Sequence, residues 1–319
     1  MRNGWKGAIL LLLKLTGLLL FGYILYIQDW RYIGAVMSGV RWRWFAVFWL
    51  LFILMIGLRV ERMHRALGCM GILIPRLVCY RSIVETSFWG TVTPARVGEI
   101  YKITYLVRFG MPAGRGVVYL LSERLYDLLA LMVFATAGAI LLAGHFSQFV
   151  VLRNVLIAAL VLTLALGGIA WLRGAQTKSL IMALMRMVPM LGRTLTERFL
   201  GDVLLVNRKS GWILWLYSVA WVLCNIAQAY SLAQALRIPV GMFAIALGYS
   251  VSTVLAALPV SVAGLGTREA GYILILGLAG IDKEQALVLS LLDGVVLPLI
   301  GVGTLMLPLI VTKHNRKYS

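Results

Sequence analysis

The chain has 319 residues, 61% hydrophobic and 13% charged, with 30 Lys and Arg against 12 Asp and Glu and a formal net charge of +18. Its mean hydropathy of +0.91 is far above that of a soluble domain, and the length allows several spans of about 20 residues each. The basic residues fall in the gaps between apolar runs, the pattern of loops facing an anionic leaflet and not of a nucleic-acid binder. Cys69, Cys79 and Cys224 form no CxxC, and His64, His145 and His314 stand singly, so neither a disulfide framework nor a metal site is indicated. No Walker motif is present, and no cofactor is expected.

Met1–Lys6 is basic and Ala8–Ile27 apolar. The run is too long for a signal-peptide core and no A-x-A-like site precedes Gln28, so it reads as an uncleaved first span, with Lys14 snorkelling to the cytoplasmic edge. Arg41-Trp42-Arg43-Trp44 places indoles at a membrane edge, and Trp42–Leu58 is the second span. A basic stretch with Arg59, Arg62, Arg65, Arg76 and Arg81 follows. Leu77–Phe109 is apolar but cut by T-V-T-P-A-R-V-G-E at Thr91–Glu99. Each arm is too short to cross about 30 Å of hydrocarbon at roughly 1.5 Å per residue, so a re-entrant hairpin is expected. Thr93 suits an N-cap and Pro94 the first helical position; Arg96 and Glu99 then share a face, with Gly98 as a hinge.

Val117–Ala143 is the third span, and its first turns carry Glu123, Arg124 and Asp127, either an interfacial cluster or a buried polar site. Val150–Leu172 is the fourth. Arg173–Lys209 is basic with two apolar stripes, Leu180 to Met185 and Phe199 to Leu204, expected as helices on the membrane surface, with Thr194-x-x-Glu197 as a capping box. Trp212–Leu236 is the fifth span. Phe243–Leu278 again forms two arms, about L-P-V-S-V-A-G-L-G-T-R-E-A-G at Leu258–Gly271. Pro259 breaks the helix, Gly264 and Gly266 allow a tight turn, Thr267 can cap the outgoing arm, and Arg268 and Glu269 follow. Charges at such a place face a bundle interior or a water-filled cavity. Glu284–Ile310 is the sixth span, with Asp293 early in it and kinks expected at Pro298 and Pro308.

The order span, broken pair, span thus occurs twice, at about 42–143 and about 212–310, joined through a linker at about 173–210 within one integral membrane domain over 1–319. Each break holds a proline, a glycine, an arginine and a glutamate, and each following span has an early acidic residue, Asp127 or Asp293. One span precedes the first unit and four precede the second, an odd difference, so the units are inverted. The Lys and Arg distribution puts both termini in the cytoplasm. The fold class expected is an all-α polytopic membrane protein with about six transmembrane helices and two re-entrant broken helix pairs in an inverted repeat, set in a bacterial inner membrane.

T-P-A-R-V-G-E at Thr93–Glu99, E-R-L-Y-D at Glu123–Asp127 and A-G-L-G-T-R-E at Ala263–Glu269 resemble the lysylphosphatidylglycerol synthase transmembrane family across nearly the whole chain. Ala95 and Ala263 stand where typical members have Gly. The resemblance implies lipid translocation; with no soluble synthase domain in this sequence, aminoacyl transfer is not expected.

Taken with the resemblance, which implies a lipid substrate, the residues predict a site for an anionic headgroup, of phospholipid or polyprenyl-phosphate type. Arg96 and Arg268 stand at half-helix N-termini, where free N–H groups and the helix dipole also favour phosphate. Glu99, Glu123, Asp127, Glu269 and Asp293, with Arg124 among them, would neutralise the arginines, hold a cationic part of a headgroup or bind a coupling proton; each also has a purely structural reading as a counter-charge. A rival reading is a membrane transferase or phosphatase using carboxylates as acid and base. A third is a non-catalytic partner of a lipid-synthesis enzyme, and self-association is left open. The charge distribution predicts that cysteine placed at Gln148 or Pro239 reacts with an impermeant reagent from outside, whereas cysteine at Ser179 reacts only after permeabilisation. Outside labelling at Ser179 would reverse the orientation.

Overall fold

The structure, a computed structural model, describes residues 39–92, 94–172, 193–257 and 266–315. Every regular element among them is helical: α1 (Trp42–Cys69), α2 (Arg76–Val92), a 3-10 segment (Pro94–Tyr101), α3 (Lys102–Arg108), α4 (Ala113–Ala143), a 3-10 turn (Ser147–Phe149), α5 (Val150–Leu172), α6 (Arg193–Ala235), α7 (Met242–Ala257), α8 (Thr267–Leu278), α9 (Lys283–Leu291), a π turn (Leu292–Val296) and α10 (Leu297–Asn315). Five stretches of the described residues are long and apolar enough to cross a membrane: Trp42–Cys69, Ala113–Ala143, Ser147–Ala165, Gly201–Ala235 and Lys283–Leu307. They carry the expected second to sixth spans; the expected first span, 8–27, lies outside the described residues. The protein is all-α and polytopic, as its composition predicts. Leu50, Ile53, Val155, Leu162 and Ile300 are exposed on the helix surfaces, where hydrocarbon and not water is the fitting solvent.

Two elements differ from expectation. Helix α1 runs to Cys69 instead of ending at Leu58. Val60, Met63, Ala66 and Leu67 continue the buried stripe begun by Phe48, Phe52 and Ile56, and no proline interrupts it. The helix stops at Gly71, with φ +82, where the Ile72 N–H reaches Leu67 O at 3.0 Å, a glycine C-terminal turn. Helix α6 spans Arg193–Ala235 without interruption, so Phe199 to Leu204 belongs to the same rod as the fifth span and not to a separate surface helix. Gly201 and Gly211 each weaken a helix by only about 1 kcal/mol, and ties to α4 hold this half in place: Arg115 Nε to Asp202 Oδ1 at 2.7 Å and Tyr126 Oη to Asn207 Oδ1 at 3.0 Å. The first apolar stripe, Leu180 to Met185, lies outside the described residues.

The broken pairs are α2 with the 3-10 segment and α3, and α7 with α8. The first outgoing arm begins as a 3-10 coil, narrower than the α-helix expected there. In each pair a glycine lets the arms touch. A Cβ on Gly98 would lie 2.4 Å from the Trp89 carbonyl carbon, and one on Gly271 would lie 2.9 Å from Ser252 Cα. Both outgoing arms end alike: Gly110 (φ +88) with Met111 N–H to Leu106 O at 3.1 Å, and Gly280 (φ +82) with Ile281 N–H to Leu276 O at 3.0 Å. Helix α1 packs along α6, α4 lies on α7, and α10 lies on α2. Helix α4, which follows the first broken pair, therefore rests on the first arm of the second pair, and α10, which follows the second, rests on the first arm of the first.

Gly98→Ala would drive a methyl into main chain, which cannot yield as a side chain can. It should cost at least about 1–3 kcal/mol and lower the melting temperature in detergent. Gly57→Ala, with nothing within 4 Å of the added Cβ, should leave it unchanged or raise it slightly, because alanine is the better helix former. Equal melting of the two variants would show that the arms are not in contact.

Candidate functional site

Helix α8 starts at Gly266, whose φ of +84 is a conformation that L side chains rarely adopt. Gly266 and not Thr267 is the N-cap. Glu269 Oε2 accepts the Gly266 N–H at 2.5 Å, and Ser290 Oγ approaches Oε1 at 3.5 Å. Glu269 thus closes the start of the helix. Arg268, in the first turn, donates from Nη2 to Asp293 Oδ2 at 2.5 Å, and the Tyr272 hydroxyl donates to the same oxygen at 3.1 Å. The rings of Tyr249 and Tyr272 lie 5.8 and 5.9 Å from the guanidinium carbon, within cation–π range. Asp293 stands on the π turn, where the Leu297 N–H bonds back to Leu292 O. Pro298 follows; it offers no N–H to the Gly294 carbonyl and its ring crowds that carbonyl, so the helix widens just before it. Gly294 leaves room for the arginine, since a Cβ there would lie 2.8 Å from Arg268 Cζ.

The Arg268–Asp293 pair lines a polar cavity of about 110 Å³, together with Arg59, Ser87, Asn225 and Gln228 and, from the first broken pair, Glu99. Arg59 Nη1 donates to Ser87 Oγ at 2.7 Å. A second cavity of about 380 Å³ is mostly apolar, walled by Leu120, Leu121, Leu128, Leu131, Ala256 and Ala257, with Arg124 and Asp127 at its polar side. Glu99, Trp221 and Thr253 line both. Arg124 Nη2 donates to Glu99 Oε2, and its Nη1 lies 3.8 Å from Asp127 Oδ2.

Behind these cavities lies a cluster of buried charges. Arg62 of α1, Lys102 of α3 and Glu123 of α4 are each 1% exposed. Arg62 Nη1 donates to Asp127 Oδ1 at 2.5 Å and to Ser218 Oγ at 3.0 Å, and Ser218 Oγ donates to Asp127 Oδ1 at 2.6 Å. Arg62 Nη2 lies 2.9 Å from Glu123 Oε1, an ionic contact without hydrogen-bond geometry. Lys102 Nζ donates to Glu123 Oε2 at 2.8 Å. Two cations meet two carboxylates here, which is the condition for keeping charge inside a membrane bundle.

Over residues 8–302 the chain matches the family described as Lysylphosphatidylglycerol synthase TM region. The chain belongs to this family. It is accordingly an integral membrane protein whose relatives are named for the membrane part of a lipid synthase. Comparison with curated proteins gives no match.

In this family member, the residues singled out from sequence divide three ways. Glu99, Arg268 and Asp293 line the polar cavity, and Arg124 and Asp127 line the apolar one. Glu123 and Glu269 line neither: the first holds Arg62 and Lys102, the second caps α8. Arg96 and Pro94 lie on the 3-10 segment, with the side chain of Arg96 outside the described ones. Thr93, Pro259 and Gly264 lie outside the described residues. Sequence reasoning left Arg62 in a loop and passed over Lys102, Ser218, Asn225 and Gln228. Signals existed: Lys102 is an isolated cation in an apolar arm, and Asn225 and Gln228 are polar residues at i and i+3 within a span.

Removing one partner of a buried ion pair typically costs about 3–5 kcal/mol, so Arg62→Ala should abolish monodisperse protein in detergent or sharply lower its melting temperature. Arg65→Ala, which breaks the more exposed pair with Glu61, should stay within about 1 kcal/mol of the parent. Equal stability of the two variants would deny the cluster its structural role.

Proposed function

We propose that the protein moves a lipid with an anionic, phosphate-containing headgroup across the membrane. One observation carries this reading: a polar cavity, with a guanidinium at a half-helix N-terminus, shares Glu99, Trp221 and Thr253 with an adjacent apolar cavity. Such a paired site suits an amphiphile, with a phosphate at the arginine and helix end and a hydrocarbon chain beside it. The matching turns of the two outgoing arms and the reciprocal packing of α4 on α7 and α10 on α2 support reading 42–143 and 212–310 as inverted units about the cavity, the arrangement of many transporters. In this scheme Arg268 grips the headgroup, with Arg96 as a second contact. Asp293, Glu99, Arg124 and Asp127 set the charge around it. Gly98, Thr267 and the breaks at Thr93–Pro94, Pro259 and Gly264 supply the bends. Both termini face the cytoplasm of a bacterial inner membrane.

Asp293 is the ionic partner of Arg268, so loss of the arginine leaves Asp293 without that partner in a buried setting. Lysine keeps the charge but loses the planar fork. Loss of one charge-assisted hydrogen bond corresponds to roughly ten- to hundredfold weaker binding. In vesicles at matched protein levels, Arg268→Lys should slow headgroup exposure by about that factor, and Arg268→Ala should slow it further. The labelled lipid should be recovered chemically unchanged. Equal rates for all three proteins would remove Arg268 from the site, and a converted lipid would favour an enzyme.

A further inference from the structure

Donors that lack acceptors indicate what the junction of the two cavities holds. Among the described residues, buried side-chain polar atoms without a hydrogen-bond partner include Arg268 Nε, Trp221 Nε1 and Thr253 Oγ1. Arg268 lines the polar cavity, and Trp221 and Thr253 line both cavities. The remaining atoms of this kind, on Arg62, Ser82, Tyr119, Glu123, Ser250 and Ser252, belong to residues that line neither. A guanidinium Nε and an indole nitrogen can only donate, and a threonine hydroxyl can donate. A buried donor left without an acceptor is costly; the three residues that bear these donors all line the polar cavity, and a ligand with several acceptor oxygens, reached by small side-chain shifts, would satisfy them. Arg268 already gives Nη2 to Asp293, which leaves Nε for that ligand.

The three residues come from three elements, α6, α7 and α8. In a phospholipid the phosphodiester stands between the acyl-bearing glycerol and the polar substituent, which is the order of the apolar cavity, the shared wall and the polar cavity. We propose that Arg268 Nε, Trp221 Nε1 and Thr253 Oγ1 seat the phosphodiester of a lipid at this junction. One acyl chain then lies against Leu120, Leu128 and Ala256, and the headgroup substituent lies towards Asn225 and Gln228. The seat rests on the lipid-translocation reading and adds two residues to it that carry no charge.

Two variants of the full-length protein test the seat, and the phosphate-free lipid controls for the smaller ring of the first. Trp221→Phe keeps an aromatic ring and removes the N–H; Thr253→Val keeps the volume and removes the hydroxyl. Equilibrium binding to the detergent-solubilised protein is measured with radiolabelled phosphatidylglycerol and with a glycosyl diacylglycerol that has the same chains and no phosphate. Each variant should bind the phospholipid about tenfold to a hundredfold more weakly, the value of a hydrogen bond to a charged acceptor. Each should bind the phosphate-free lipid as the parent does, which also shows that the variant is folded. Inorganic phosphate in large excess should not displace the phospholipid. Unchanged phospholipid binding in both variants overturns the seat, as does an equal loss for both lipids, since that would assign the two side chains to packing. Displacement by inorganic phosphate overturns the lipid as occupant. If the parent binds phospholipid as described but moves no lipid in vesicles, the seat stands and the translocation reading falls.

Discussion

Pairing of buried cations with carboxylates is the constraint on which this bundle depends. A lone guanidinium or ammonium in the hydrocarbon region is costly enough that such groups survive only when paired or when facing a wet cavity. Four of the pairs join separate elements: Arg62 ties α1 to α4, Lys102 ties α3 to α4, Arg124 ties α4 to the 3-10 segment, and Arg268 ties α8 to the π turn. Apolar packing alone discriminates weakly between helix placements in lipid, because lipid tails are as apolar as leucine. The ion pairs supply the register that packing does not.

Two groups of buried charges use this chemistry differently. In the first, Arg62 and Lys102 share Glu123, Asp127 and Ser218 complete the partners of Arg62, and Arg62, Lys102 and Glu123 are buried away from either cavity. In the second, Arg268 has a single carboxylate, and that pair faces a cavity. A closed cluster anchors; an arginine with one carboxylate can exchange partners with an incoming anion at little net change in paired charge. Glu99, bonded to Arg124 and lining both cavities, lies between the anchored cluster and the cavity of the exchangeable pair.

Much of this was legible in the residues. Hydropathy finds the spans because the bilayer forces long apolar helices, and proline with glycine finds the two breaks because both disturb the helical hydrogen-bond pattern. The charges at the breaks and the carboxylates that could neutralise them were visible, but which carboxylate meets which arginine was not. Glu269 beside Arg268 suggested a local pair, yet the side chain turns back to the Gly266 N–H, and the arginine is matched by Asp293 far along the chain. Adjacent helical residues point about 100° apart, so sequence neighbours are poor ionic partners. Arg62 was hidden for a different reason. A basic stretch ordinarily marks the end of a span, whereas here the buried stripe through Met63 and Leu67 carries the helix onward and takes the arginine inside.

The π turn at Leu292–Val296 separates two requirements that one straight helix could not meet together. Beyond it, a Cβ on Gly301 would lie 2.5 Å from Phe52 Cε1, so the angular setting of α10 is fixed by α1. Before it, Ser290 must reach Glu269. One surplus residue in the turn offsets the two halves by about 100°, so each keeps its own phase. The widened turn therefore acts as a phase adapter, and Asp293 sits inside the adapter rather than on either half. Its aim at Arg268 can be altered without re-threading the packed surfaces on either side.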